Sequence, residues 1–409
     1  MLIDFSVTNY RSIKDKQTFS MQPIKRIDEL PEHIINNGKH SALSSAIIYG
    51  RNASGKSNLL RAMGALIDLV NHSQRNKLGK KIEKYEPFKL DRNSINLPTE
   101  FEITFLTRKS IKYTYKIIFE SENIILESLF SFPNGREKKI FIREQNKKID
   151  FGNDIKIGRL NDIAETLFPN QAFLAKMMIF SDKVFDELSI FFMSYIELAE
   201  EEDLLEYDSE LSISKGFKER HKKILDAGDT GIIGFKEIEE IVNGEKVLKF
   251  KPLHNLYQNG SIVGTAYFDL EDESLGTRKL LGLTERIGNA LDDGGTIIID
   301  EFNNSLHPLL TKTLINLFHN PKTNPNGAQL IFATHDVSLL DNELFRRDQI
   351  WFSEKGNDGA STYYSLADLK GIRAGVPLEK YYLKGAFGAT PIINEHDLVF
   401  NFREKNEQK

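Results

Sequence analysis

The sequence predicts an α/β fold whose core is divided between the two ends of the chain, and three segments predict it. An apolar run, Ala46-Ile47-Ile48-Tyr49, leads into Gly50-Arg51-Asn52-Ala53-Ser54-Gly55-Lys56-Ser57 and then into Asn58-Leu59-Leu60-Arg61-Ala62-Met63, which suits a helix. Far downstream, Thr296-Ile297-Ile298-Ile299 is of buried-strand type and ends in Asp300-Glu301. A third strand-like run, Ile331-Phe332-Ala333, ends in Thr334-His335. Short apolar runs bounded by polar turns suit strands covered on both faces, as in a parallel sheet flanked by helices.

The remaining elements follow in order. Residues 2–9 read as an opening strand, with Tyr10-Arg11-Ser12-Ile13 as the turn into a second. The helix after the glycine-containing loop extends to about residue 70, and the polar, basic stretch 71–84 suits a solvated connection. Residues 101–105 and 111–117 alternate with period two, and 124–132, Pro133-Asn134-Gly135 and 139–142 form a hairpin with its turn. This is an antiparallel meander, different in kind from the first unit. From about 154 to 242 the pattern turns helical, with an acidic run at 200–203 and a lysine-rich helical stretch at 215–225. Strand alternation returns at 247–250 and 264–269. A helix over 277–291, the strand 296–299, a helix from Pro308 and a strand over 329–332 restore α/β order. The expected organisation is therefore residues 1–150 as the N-terminal part of the core with its antiparallel meander, 151–245 as a helical insertion, and 246–409 as the C-terminal part of the core.

Composition narrows the chemistry. A chain of 409 residues exceeds one ordinary core, which fits a core plus an insertion. Cysteine is absent, so disulfide scaffolds, thiolate zinc sites and cysteine nucleophiles are excluded, and a reducing cytoplasm is the fitting compartment. The net charge of −5 gives no support for wholesale nucleic-acid binding. No apolar run approaches the 18 or so residues of a membrane span, and the start lacks the pattern of a signal peptide.

Residues 50–57 are a complete phosphate-binding loop in its strand–loop–helix setting. Its glycines let the chain wrap so that N–H groups of Gly50, Arg51, Asn52, Ala53, Ser54 and Gly55 surround a phosphate, and the new helix adds its positive end. Lys56 reaches the β- and γ-phosphates, while the Ser57 hydroxyl holds Mg²⁺. Asp300 at a strand's C-terminal edge is the second Mg²⁺ group, and Glu301 is free to orient or deprotonate water. Asp272-Glu273-Ser274-Leu275-Gly276-Thr277 opens a helix, and a Ser-x-Gly turn at a helix start is either a plain cap or a second anion cradle. His335, ending the next strand, is either structural or aimed at a γ-phosphate.

Taken in this order, the four elements resemble an ABC-type ATPase head of the SMC/RecF-like branch. Gly-Lys-Ser-Asn at 55–58 and the opening Val7-Thr8-Asn9-Tyr10-Arg11-Ser12 are typical of that branch. Asp300-Glu301-Phe302-Asn303-Asn304-Ser305-Leu306-His307-Pro308, Glu86-Pro87-Phe88-Lys89-Leu90 and Tyr382-Leu383-Lys384-Gly385-Ala386-Phe387-Gly388-Ala389 resemble the RloA/AbiL-like ATPases of bacterial phage defence and abortive infection. The likeness covers roughly 1–130 and 245–395 and fades in between. It implies that two copies sandwich two ATP molecules with Mg²⁺. Ser274, Gly276 and Thr277 would contact the γ-phosphate held by the partner copy, Ser305 would couple the two sites, and His335 would sense the γ-phosphate. Asn58 joins the nucleotide contacts, and Arg11 either lies near the nucleotide or is a plain surface arginine. The glutamine that such heads supply to Mg²⁺ has Gln171 as its nearest candidate.

Two functions follow as expectations. The first is an ATP-hydrolysing switch, dimeric around ATP, that controls a partner. Related OLD-family proteins fuse such an ATPase to a metal-dependent nuclease, but about 75 residues remain after His335, too few for that domain, so a separate nuclease or toxin is expected as effector. The rival is a DNA-repair or DNA-tethering ATPase that grips nucleic acid directly, through the basic stretches 136–148 and 75–84.

Overall fold

The computed structural model describes residues 1–153, 155, 158–179, 183–200, 204, 222–242, 245–372 and 375–390. The chain opens with β1 (Leu2–Thr8) and β2 (Gln17–Ser20), then β3 (Ile34–Asn37), β4 (His40–Leu43) and β5 (Ser45–Tyr49). Helix α1 (Lys56–His72) follows the phosphate-loop segment. The meander is β6 (Thr99–Leu106), β7 (Lys112–Phe119), β8 (Ile124–Ser131), β9 (Lys138–Glu144) and β10 (Asp150–Phe151). It pairs with β1 and β2 in one antiparallel sheet of order β10-β9-β8-β7-β6-β1-β2. The β8–β9 hairpin has the expected turn, with Asn134 and Gly135 both at positive φ.

The helical expectation for 154–242 holds for α2 (Gly158–Glu165), α3 (Phe173–Met177), α4 (Lys183–Ile190) and the helical residues 222–227, but not for the strands that follow α4 and residue 233. A turn of π-helix over Phe191–Tyr195 ends in β11 (Ile196–Ala199), an edge strand of the core sheet, parallel to the strand at 296–299. Further on, β12 (Gly234–Val242), β13 (Glu245–Gln258) and β14 (Ser261–Tyr267) form a separate antiparallel sheet. So short a run cannot be assigned to strand or helix by periodicity alone, and Ile196–Ala199 comes two residues after the apolar run 190–193. Most of the acidic run 200–203 and of the stretch 215–225 lies outside the described residues.

The C-terminal half contributes α5 (Leu275–Asp293), β15 (Thr296–Ile299), α6 (Pro308–His319), β16 (Gln329–Ala333), β17 (Ile350–Lys355), β18 (Ser361–Ser365) and α7 (Leu378–Leu383). The core sheet runs β11-β15-β16-β5-β17-β18, parallel except for β18. Its side chains alternate between two hydrophobic layers. Ile48, Ile298, Ile331 and Ala333 pack with α1 and the antiparallel sheet, whereas Ile47, Ile297, Ile299, Leu330 and Phe332 pack with α5 and α6. Each isoleucine, leucine or phenylalanine among them, fully buried, contributes roughly 1.5–3 kcal/mol of hydrophobic stabilisation. The split of this core between both chain ends is therefore as expected, and it is what fixes three strand ends beside one another.

Candidate functional site

Register does the first part of the positioning. Ile299 lies opposite Phe332, and Ala333 lies opposite Ile48, so β15, β16 and β5 end level with one another. The Thr334 N–H donates to Ile48 O (3.2 Å) and the Phe302 N–H to Ala333 O (3.3 Å), carrying the match past the strands. The phosphate loop, the Asp300-Glu301 pair and His335 therefore share one carboxyl edge, where open parallel sheets hold their ligands.

Within the loop, Gly55 has φ +112°, and a Cβ there would overlap Ser361 Oγ, so no other residue fits. Lys56 is almost wholly buried, its ammonium donating to Gly50 O (2.9 Å) and Arg51 O (3.4 Å). Burial lowers its pKa to about 8, against the opposing pull of the Asp300 and Glu301 carboxylates. His335 is exposed at the strand end, and its pKa is lowered, first by desolvation and then by the positive charge of Lys56, with Glu301 and Asp300 acting in the other direction. These mutual electrostatic effects place Lys56, Asp300, Glu301 and His335 within one charged cluster.

Asp300 Oδ1 is buried and has no hydrogen-bond partner among the described residues. Such an oxygen is costly unless a cation or donor satisfies it, and Mg²⁺ would do so together with the Ser57 hydroxyl at the start of α1. No group of three or more His, Cys, Asp or Glu suited to a metal occurs among the described residues. That donor set fits an ion completed by phosphates and water rather than one caged by protein. Glu301 stands at φ +49°. Its carboxylate accepts from the Asn304 side-chain amide, and its carbonyl accepts from Lys279 Nζ at 2.9 Å.

The second expected set assembles elsewhere. Ser274 caps α5, its Oγ accepting from the Thr277 N–H at 3.1 Å and lying 2.9 Å from Thr277 Oγ1. A Cβ on Gly276 would sit 2.6 Å from Ser305 O, so glycine is what allows the 301–305 loop to approach the helix start. Ser274, Gly276, Thr277 and Ser305 line an open cleft of about 440 Å³ that contains no residue of 50–57.

Three expected residues are committed elsewhere. The Asn58 side-chain amide donates to Ser12 Oγ (2.7 Å), behind the loop rather than in it. Arg11 is held bidentately by Glu86 (2.7 and 3.0 Å) in a groove beside α1 whose lining includes no loop residue, which favours the plainer account of it. Gln171 is not the Mg²⁺ glutamine in this structure. Its amide donates to Gln74 O (3.0 Å) and Asn76 O (2.9 Å), and its oxygen accepts from the Phe168 N–H (3.1 Å). Residue 74 lies beyond the far end of α1, about 27 Å along the helix axis from Lys56 at 1.5 Å per residue.

Sequence reading missed the wall behind the loop. The β17–β18 hairpin presents Ser361 and Tyr363, whose hydroxyls donate to Ser54 O and Gly55 O, both at 2.6 Å. Burial pushes the Tyr363 pKa up, so this donor keeps its proton. Arg51 is tied to the same hairpin through Lys355 O at 3.0 Å. The only available signal was strand alternation in Ser361-Thr362-Tyr363-Tyr364, which says nothing about the loop.

Residues 45–341 match a protein family described as "AAA domain, putative AbiEii toxin, Type IV TA system". Among solved structures, the chain is similar to the SMC head domain from Thermotoga maritima, with 12% identity over 89% of this chain and 98% of that one and a TM-score of 0.40. It is also similar to the recombination mediator RecF with ATP, with 13% identity over 89% and 99% and a TM-score of 0.36. A third is cbiO1 from Clostridium perfringens, part of an ABC transporter complex, with 11% identity over 81% and 85% and a TM-score of 0.28. No curated protein matches the chain.

Proposed function

The chain belongs to this family of AAA domains, and from that premise we propose an ATP-binding and ATP-hydrolysing switch that closes head to head around ATP. We place its role in bacterial antiviral defence, acting on a separate effector protein. The observation that carries the reading is the separation of two half-sites. Lys56, Asp300, Glu301 and His335 gather at one sheet edge. The Ser274 cradle opens into a cleft containing none of the phosphate-loop residues. A helix-start cradle in a cleft that holds none of its own loop is suited to a phosphate bound by a second copy.

In this mechanism the loop N–H groups and Lys56 bind the triphosphate, and Ser57 with Asp300 would hold Mg²⁺. The ion supplies charge neutralisation to the β- and γ-oxygens when bound. Glu301 orients the attacking water and accepts its proton, which requires its carboxylate to exchange the Asn304 amide for water. His335, kept neutral by desolvation and by Lys56, donates one ring N–H toward the γ-phosphate. Hydrolysis removes the group that both copies share, and the pair opens. The link to defence rests on the resemblance of residues 300–308 to abortive-infection ATPases and on the AbiEii wording of the family.

The test is Ser274→Arg, which fills the cradle and leaves the phosphate loop untouched. ATP binding should persist, while the ATP-dependent dimer seen by light scattering after gel filtration of wild type should vanish. A mutant that dimerises normally with ATP would sink the two-copy site.

A further inference from the structure

The wall behind the phosphate loop forms a directed chain of hydroxyls. Ser361 Oγ lies 2.6 Å from Ser54 O and 2.8 Å from Ser12 Oγ. A serine hydroxyl has one proton, and a carbonyl oxygen only accepts, so the Ser361 proton goes to Ser54 O. Ser12 must then give its own proton to Ser361, and Ser12 Oγ in turn accepts from the Asn58 amide at 2.7 Å. The order is Asn58 to Ser12 to Ser361 to Ser54, with both hydroxyl protons used. The backbone supports it, since the Ser361 N–H donates to Ser12 O at 2.7 Å. Beside this chain the Tyr363 hydroxyl donates to Gly55 O at 2.6 Å. Ser54 and Ser361 are essentially inaccessible to water, so their hydrogen bonds have no competitor.

A trans peptide points its C=O and the next residue's N–H in opposite directions. Holding Ser54 O against the hairpin therefore turns the Gly55 N–H the other way, into the loop's concavity. Gly55 O, which accepts from Tyr363 as well as from the N–H groups of Asn58 (2.9 Å) and Leu59 (3.3 Å), turns the Lys56 N–H inward in the same way. We propose that Ser361 and Tyr363, with Ser12 as relay, are positioning residues that pre-orient these two N–H donors for the phosphate chain of the nucleotide. They touch no phosphate themselves. This rests on the nucleotide-binding reading above and adds residues from both chain termini to that site, 349 positions apart in the case of Ser12 and Ser361.

The experiment is calorimetric binding of ATP, ADP and inorganic tripolyphosphate to wild type, Ser361→Ala, Tyr363→Phe, Ser12→Ala and the Ser12→Ala/Ser361→Ala double variant. Losing one such hydrogen bond should weaken all three ligands by about five- to tenfold, because the loss lies in the phosphate cradle and not around the base. In steady state the KM for ATP should rise by the same factor, with kcat changed by less than about twofold. The double variant should be no weaker than Ser361→Ala by more than about twofold, since both break one chain. Tyr363→Phe removes a single oxygen and keeps the ring in the core, so it carries the test if Ser361→Ala does not fold. Unchanged tripolyphosphate affinity in Tyr363→Phe and Ser361→Ala would overturn the inference, as would a loss confined to kcat. If wild type itself binds neither nucleotide nor tripolyphosphate, the nucleotide-binding reading falls first, and a normal wild type beside unaffected variants marks failure of this inference alone.

Discussion

Raising the pH from 7 to 9 should weaken nucleotide binding about tenfold through Lys56 alone. In the ligand-free chain its pKa is lowered to about 8, with burial as the main cause. Its ammonium is about nine-tenths protonated at pH 7 and about one-tenth at pH 9, whereas an ordinary lysine near 10.4 stays charged throughout. A triphosphate favours the charged form, so binding must first restore the missing proton. Affinity then follows the protonated fraction, and a tenfold change corresponds to about 1.4 kcal/mol. The phosphates do not confuse the result, because their last ionisation lies near pH 6 and is nearly complete across the range. Calorimetry at pH 7, 8 and 9 in buffers of different ionisation enthalpy measures both quantities, and about half a proton should be taken up per nucleotide at pH 8. The same shift acts on stability with a defined sign. A folded-state pKa below the unfolded one means the unfolded chain binds more protons between about 8 and 10.4, so this group's contribution to stability rises with pH in that window. Flat affinity from pH 7 to 9 with no proton uptake would refute the reasoning.

Three further outcomes are expected. Glu301→Gln should retain ATP binding but lose phosphate release by about 10²–10⁴-fold, the range for removing a general base, and equal rates would remove Glu301 from the mechanism. Gln171→Leu should lower the urea midpoint, by about 1–3 kcal/mol of stability for the buried groups left unpaired, while leaving the KM for Mg-ATP unchanged; a selective loss of Mg²⁺ dependence would return Gln171 to the metal. Retention on duplex DNA should be weak and nearly independent of salt, as the net charge of −5 implies, and a steep fall of affinity with salt would favour the DNA-gripping alternative.

What the sequence disclosed was whatever is written locally. A phosphate loop between an apolar run and a helix needs only neighbouring residues, and strand 296–299 was placed to the residue because its carboxylates end it abruptly. Residues 196–199 were misread because four residues are too short a run to declare a period, and their strand character comes from pairing with β15 about a hundred residues later. Gln171 failed for a related reason. Its place in the chain, between meander and helices, suited a metal contact, but the buried Glu127 carboxylate accepts the N–H groups of Phe173 and Leu174 at 2.7 and 2.8 Å and draws this segment to the far end of α1. The loop's wall was invisible because serines and tyrosines in a polar strand announce no chemistry until tertiary contact gives them carbonyls to hold.

On the proposed arrangement, one helix joins the two half-sites within a single copy. Ser274 caps the start of α5, and Lys279, five residues on and buried, reaches across to Glu301 O. Ser305 O packs against the first turn of the same helix, so both ends of the 301–305 loop touch α5. Glu301 at φ +49° and Ser305 at φ +62° both sit in the left-handed region, which costs a non-glycine residue about 1 kcal/mol or more unless its surroundings hold it there. A loop strained at both ends and fastened to one helix moves with that helix. On the proposed arrangement, a phosphate gripped at Ser274 displaces α5 and, through Lys279, the backbone of the residue that activates water in the other site. Lys279→Met should therefore keep ATP binding and dimerisation while making hydrolysis at the two sites independent, read as a fall of the Hill coefficient for ATP turnover toward one. A cooperative Lys279→Met enzyme would show that the coupling runs elsewhere.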